Sequence, residues 1–157
     1  MKRILTAFVM LAAAAMTLLS CETLDSLNPK KKAQTEFSKM YPDARDVEWE
    51  MKLNHWEVSF ETGTPPDVKK CEAWVDLKSG AWLRTEIDLL ESALPQIVKD
   101  ALAESEYATA VMNASDIEYV ETPDGNFYQL EITYKGVEIK LEVTEDGKIS
   151  LGKVSLE

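Results

Sequence analysis

Histidine occurs once in this chain of 157 residues, cysteine twice and glycine six times. A single imidazole rules out a site built on several histidines, and two cysteines cannot make a disulfide scaffold. Basic residues are few as well: 17 Lys and Arg stand against 28 Asp and Glu, for a net charge of −11. Nucleic-acid binding draws its affinity from cationic side chains that displace counterions, so no nucleic-acid partner is expected. The chain has no Gly-x-Ser-x-Gly elbow, His-Glu-x-x-His pair, glycine-rich phosphate loop or Cys-x-x-Cys. Nothing singles out two of the carboxylates as the facing pair that a glycosidase needs. Asp124-Gly125-Asn126 and Glu145-Asp146-Gly147 lack the alternating oxygen ligands of a calcium loop and read as hairpin turns. The lone His55 reads as an exposed residue beside a turn. No catalytic residue, metal or cofactor is expected. What is present is enough for a core: 45% hydrophobic residues and four Trp mark a folded chain of one domain rather than an acidic tail.

The first 21 residues read as an address. Met1-Lys2-Arg3 is basic, Ile4 to Leu19 is apolar apart from Thr6 and Thr17, and Leu18-Leu19-Ser20-Cys21 closes the segment. A charged start, a short apolar run and a small residue define a secretory signal, here residues 1–20. Leu18-Leu19-Ser20-Cys21 resembles the lipobox of bacterial lipoproteins, which implies lipid on the Cys21 sulfur and attachment to a membrane. Glu22 follows where a retention signal of enteric bacteria would have Asp, so the expected location is the cell envelope at the outer membrane. Cleavage removes Lys2 and Arg3 and no acid, which leaves 15 basic and 28 acidic residues. Residues 21–30 then form the lipidated start and tether. Cys71, left without a partner, alternates with Ala73 and Val75 and reads as a small buried hydrophobe.

Beyond the tether the chain carries one pattern twice. Ala33, Phe37 and Met40-Tyr41 recur at helical spacing until Pro42, and strand patterns follow at 46–51, 56–61, 71–77 and 81–89. A second helix is expected from about Ser92 to Glu104, with Pro95 in its first turn. Strand patterns then recur at 116–121, 127–134, 137–144 and 148–156. Asp46-Val47-Glu48-Trp49 matches Asp116-Ile117-Glu118-Tyr119, and both last hairpins turn on a glycine, Gly80 and Gly147. One helix on four strands is a marginal core, whereas two such units edge to edge make one larger sheet. The expected class is α+β: two tandem helix-β4 repeats, about 31–90 and 91–157, forming one curved antiparallel sheet with both helices on one face.

Tyr41-Pro42-Asp43-Ala44, Val47-Glu48-Trp49-Glu50, Trp56-Glu57-Val58-Ser59-Phe60, Gly80-Ala81-Trp82 and Thr85-Glu86-Ile87 resemble the PepSY-like family. The resemblance spans roughly residues 31–157 and implies a secreted or lipid-anchored protein with a β-lactamase-inhibitor-like fold. It rests on aromatic and turn positions, so it implies architecture and no particular activity. The inhibitor that lends the family its label carries a disulfide in each repeat; this chain has neither, and inhibition of a β-lactamase does not follow from the fold.

Alternation sorts the sheet into two faces. A three-residue loop Lys78-Ser79-Gly80 places Leu77 opposite Ala81, Asp76 opposite Trp82 and Trp74 opposite Arg84. Cys71, Ala73, Val75, Leu83 and Ile87 then face the helices. Glu72, Trp74, Asp76, Trp82 and Arg84, with Glu57 from the neighbouring strand, face away from them. Large aromatics on such a face mark a contact surface, and the carboxylates around them suit a basic protein or peptide of the envelope. The expected function is a non-enzymatic binding or inhibitory module. The competing reading is a structural or accessory lipoprotein that carries nothing on this face, with Trp74 and Arg84 forming only a stabilising cross-strand cation–π pair.

Overall fold

The computed structural model describes residues 29–152; the expected signal segment, the tether with Cys21 up to residue 28, and the C-terminal residues 153–157 lie outside the described residues. The chain runs helix, four strands, helix, four strands: α1 (Pro29–Met40), β1 (Arg45–Met51), β2 (His55–Thr62), β3 (Lys69–Asp76), β4 (Trp82–Asp88), α2 (Gln96–Glu104), β5 (Val111–Glu121), β6 (Phe127–Tyr134), β7 (Val137–Thr144) and β8 (Ile149–Leu151). All eight strands form one antiparallel sheet in sequence order. Period-two patterning explains the strands, and β6 and β7 keep the bounds it predicts.

The second helix is shorter than its pattern. Residues Glu91–Ala93 make a separate 3₁₀ turn, and Pro95 sits extended at the N-cap instead of inside the first turn. Leu94, the residue before that proline, is held extended too, which divides the segment in two.

Both helices lie on one face of the sheet. Ala33 and Phe37 of α1 pack with Val58, Phe60, Cys71, Ala73 and Val75, while Val98 of α2 packs with Ile117, Leu130, Ile132, Leu141 and Val143. Ile87 leans on the first cluster and pairs with Tyr119, so the same face continues from β4 into β5. In the β3–β4 turn a Cβ on Gly80 would lie 3.0 Å from the Pro29 carbonyl oxygen and the Ala33 amide nitrogen. Gly80 also has φ +68°, so both the close approach of α1 and the backbone demand glycine. Gly147 occupies the corresponding turn beneath α2, with φ +82° and Ile97 and Ala101 against it.

Register departs from the expected pairing at one place that matters. Val75, not Asp76, is opposite Trp82, whereas Trp74 does face Arg84. Two irregularities produce this. Asp76 Oδ1 accepts from the Ser79 amide (2.7 Å), the Ser79 hydroxyl (2.6 Å) and the Lys78 amide (3.1 Å), so the turn begins one residue early. The Asp76 amide then bonds to the Ala81 carbonyl at 2.8 Å. A bulge at Leu83 restores the pairing beyond it, and Leu83 is left 40% exposed instead of facing the helices. The net effect is to turn Trp82 over to the helix side.

Candidate binding surface

Trp74 is the centre of the helix-free face. Its β2 neighbour is Glu57 and its β4 neighbour is Arg84, both on the same side of the sheet. The Arg84 guanidinium lies 4.3 Å from the indole centroid, and the His55 imidazole stacks on the same indole at 4.3 Å with an interplanar angle of 22°. His55 arrives from β2 and Arg84 from β4, the strands on either side of β3. Arg84 also forms an ion pair with Glu86 two residues along β4. Burial works against its charge, and Glu118, Glu142 and Glu72 oppose that loss.

His55 is therefore not the exposed turn residue expected from the sequence; only 9% of it is accessible. Its Nδ1 donates to Asn54 Oδ1 at 2.6 Å, and its burial holds the ring below the usual imidazole range, that is, neutral. Among the described residues, His55 Nε2, Trp74 Nε1, Arg84 Nε and Trp56 Nε1 are buried polar atoms without a hydrogen-bond partner. Three of the four belong to this one stack.

Two carboxyls complete the centre. Glu57 and Glu72 lie on adjacent strands and hydrogen-bond to each other. Burial and the Glu57 contact push Glu72 up to about 7. Burial also disfavours charge on Glu57, but its hydrogen bonds to Glu72 and Lys52 outweigh that and keep it below the ordinary range. Lys52 bridges Glu57 at 3.1 Å and Glu50 at 2.8 Å. The two carboxyls therefore titrate apart: Glu57 is the member that keeps its charge, and Glu72 the one more readily protonated. Toward the C-terminal half, Glu118 bonds to Gln129, and Val120 is fully buried on the same face although neither helix lies there.

Of the residues expected on this surface, Trp74, Arg84, Glu57 and Glu72 come together. Asp76 stands at its edge and is spent on the Lys78-Ser79 turn. Trp82 is not on it. It lines a narrow cleft with Ala33, Phe37, Met40 and Tyr41 of the α1 region, and its Nε1 donates to Thr85 Oγ1 at 2.9 Å. The same hydroxyl meets Tyr41 OH at 2.7 Å, so Trp82 and Tyr41 share one buried partner. His55, Glu118 and Gln129 were missed as members of the surface. Strand parity carries the signal for each: His55 is two residues from Glu57, and Glu118 pairs with Gln129. Cys71 is buried as expected, its thiol pushed up to about 11 by burial. It is no nucleophile at neutral pH. Among the described residues no group of His, Cys, Asp and Glu is arranged to hold a metal.

A sheet of eight antiparallel strands with two helices on one side can be compared with known proteins. Residues 54–150 match the family described as "Putative beta-lactamase-inhibitor-like, PepSY-like". The chain belongs to the PepSY-like family. Among solved structures it resembles a BLIP-like protein from Bacteroides fragilis NCTC 9343, at 24% identity, over 81% of this chain and 87% of that one, with a TM-score of 0.68. A DUF2874 family protein from Bacteroides uniformis ATCC 8492 shares 21% identity over 75% and 83% of the two chains, with a TM-score of 0.62. A structure from Bacteroides eggerthii DSM 20697, described as "putative periplasmic proteins", shares 17% identity over 76% and 86%, at a TM-score of 0.61. No curated protein matches. At these identities the likeness establishes a BLIP-like α+β fold for this PepSY-like chain, and the PepSY-like family is inhibitor-like in kind rather than catalytic.

Proposed function

We propose that this PepSY-like protein is a lipid-anchored, non-enzymatic module of the cell envelope that holds a basic protein or peptide on its helix-free face. The observation that carries this is the grouping of the Glu57, Glu72, Glu86 and Glu118 carboxyls around a half-buried Trp74–Arg84 stack, where they outnumber the Arg84 and Lys52 cations beside them. An aromatic anchor in a charged surround is the composition of a contact surface, and opposite charge steers a basic partner toward it. Envelope location is supported by the lipobox-like Leu18-Leu19-Ser20-Cys21 and by the periplasmic description of a structural neighbour.

The tandem arrangement belongs to the same reading. Trp49–Val58 and Val58–Ala73 are register pairs of the first four strands; Tyr119–Tyr128 and Tyr128–Val143 pair 70 residues on. At this spacing the pairing of the first three strands of each half recurs, while the face residues do not: Trp74 corresponds to Thr144 and Glu57 to Phe127. A partner therefore docks on the first unit.

Binding to an array of Lys- and Arg-rich peptides, read at low and high salt, tests the site. Trp74→Ala is expected to lower binding at least tenfold, Glu118→Gln to lower it by less, and 0.5 M salt to weaken the parent protein. Trp82→Phe, on the other side of the sheet, keeps the parent affinity. Equal binding by the parent, Trp74→Ala and Glu118→Gln would sink the surface. If phenotype then survives the face variants and is lost in Cys21→Ser, the accessory-lipoprotein reading takes its place.

A further inference from the structure

The turn end of the N-terminal half has the opposite charge character to the sheet face. Lys30, Lys31 and Lys32 occupy the first turns of α1 and are exposed. Gly80 of the β3–β4 turn touches the backbone of Pro29 and Ala33, which brings the exposed Lys78 to the same end. Lys30 Nζ lies 4.7 Å over the Trp56 ring, and Trp56 pairs with Met51. The β1–β2 turn is therefore at this end too, carrying Leu53, 92% exposed, and Met51, 65% exposed. Two acids of the region are already committed: Glu50 to Lys52, and Asp76 to the Ser79 turn.

Four lysines beside two exposed apolar side chains point to an anionic lipid surface as the occupant. Cations gather at the headgroups, and apolar tips of this size enter the acyl boundary. Chain length narrows the choice further. Eight peptide steps separate Cys21 from Pro29, so the start of α1 stays within about 28 Å of the anchoring sulfur. We infer that this pole rests on anionic glycerophospholipid headgroups through Lys30, Lys31, Lys32 and Lys78, with Leu53 and Met51 inserted. The inference rests on lipidation at Cys21. Held this way, the sheet stands on its turn end, and the Trp74 face looks sideways into the surrounding space instead of at the bilayer.

A Leu53→Cys variant of the mature lipidated chain, carrying an environment-sensitive fluorophore, tests the orientation; lipid occupies the Cys21 sulfur, and Cys71 is buried and spared the label. On vesicles containing phosphatidylglycerol the emission is expected to shift to the blue, and on pure phosphatidylcholine it is not. Each lysine near such a surface contributes about fivefold, so Lys30→Gln/Lys31→Gln/Lys32→Gln lowers the docked-to-undocked ratio roughly a hundredfold. Emission that is equal on the two vesicle types, or unchanged in the triple variant, overturns the pole. The same shift with soluble heparin overturns the lipid assignment in favour of a general polyanion site. Failure of the anchor shows itself separately, as a chain that does not sediment with phosphatidylcholine vesicles; the phosphatidylglycerol shift of a Cys21→Ser/Leu53→Cys chain, labelled at position 53, then decides the pole.

Discussion

The two cores of this protein fill the same frame with different chemistry. Beneath α1 the packing is aromatic: Phe37 lies 5.0 Å from Phe60, 5.4 Å from Tyr41 and 5.6 Å from Trp49, ring centre to ring centre. Beneath α2 the buried residues are Leu94, Val98, Ile117, Leu130, Ile132, Leu141 and Val143, with tyrosines only at the margin. Branched aliphatic residues need nothing but complementary shape, whereas Tyr and Trp bring polar atoms that must find partners when buried. Thr85 is the consequence. Fully buried on β4, it serves both Tyr41 and Trp82, a polar fixture among the described contacts of the first core. The same asymmetry reaches the opposite face, where the first four strands carry Trp74 and His55 and the later strands carry Val120 and Phe127.

Emptying each core in turn has the largest expected effect. Phe60→Ala is expected to cost about 3–5 kcal/mol and Leu130→Ala about 2–5 kcal/mol. Both should lower one cooperative thermal transition, because β4 pairs with β5 and neither half has a large core of its own. Two separate transitions in calorimetry would show that the halves fold independently. A smaller effect sharpens the aromatic side. Thr85→Val keeps the shape but strands Tyr41 OH and Trp82 Nε1, at a cost of about 1–3 kcal/mol. Urea titration of Thr85→Val beside Thr85→Ser measures this; equal losses in the two variants would mean that the hydroxyl contributes nothing.

The smallest effect is read through pH. Glu72 is held up to about 7 in the folded chain against an ordinary 4.5, mainly by burial and then by Glu57. A raised carboxyl favours folding wherever it is still protonated, so its contribution is whole below about pH 4.5 and is lost as the pH climbs to about 7. Glu57, held low, works in the other direction at the acid end. Glu72→Gln imitates the protonated form. Its melting temperature should stay flatter than the parent's between these pH values and exceed it at pH 8. Parallel profiles would remove Glu72 from the account.

Most of the strand layout was legible because alternation is local: a side chain's face follows from its position along a pleated chain. Trp74, Arg84, Glu57 and Glu72 were placed correctly for that reason. Trp82 was not, since its face depends on how the Lys78-Ser79 turn closes and on a bulge at Leu83, and parity reverses at each irregularity. His55 was misjudged for a related reason. Position beside a turn suggests exposure, and nothing local announces that Trp74, nineteen residues on, will cover the ring.

Periodicity and composition are properties of neighbouring residues, and from them alone follow the α+β class, the order of helices and strands, the helix face built on Ala33 and Phe37, and the acidic character of the chain. The folded sheet alone settles that Trp82 serves the core, that Trp74 covers His55, and that Glu57 and Glu72 meet as a hydrogen-bonded pair. Those outcomes depend on register and on distance between strands, and both are fixed only once the sheet has closed around its turns.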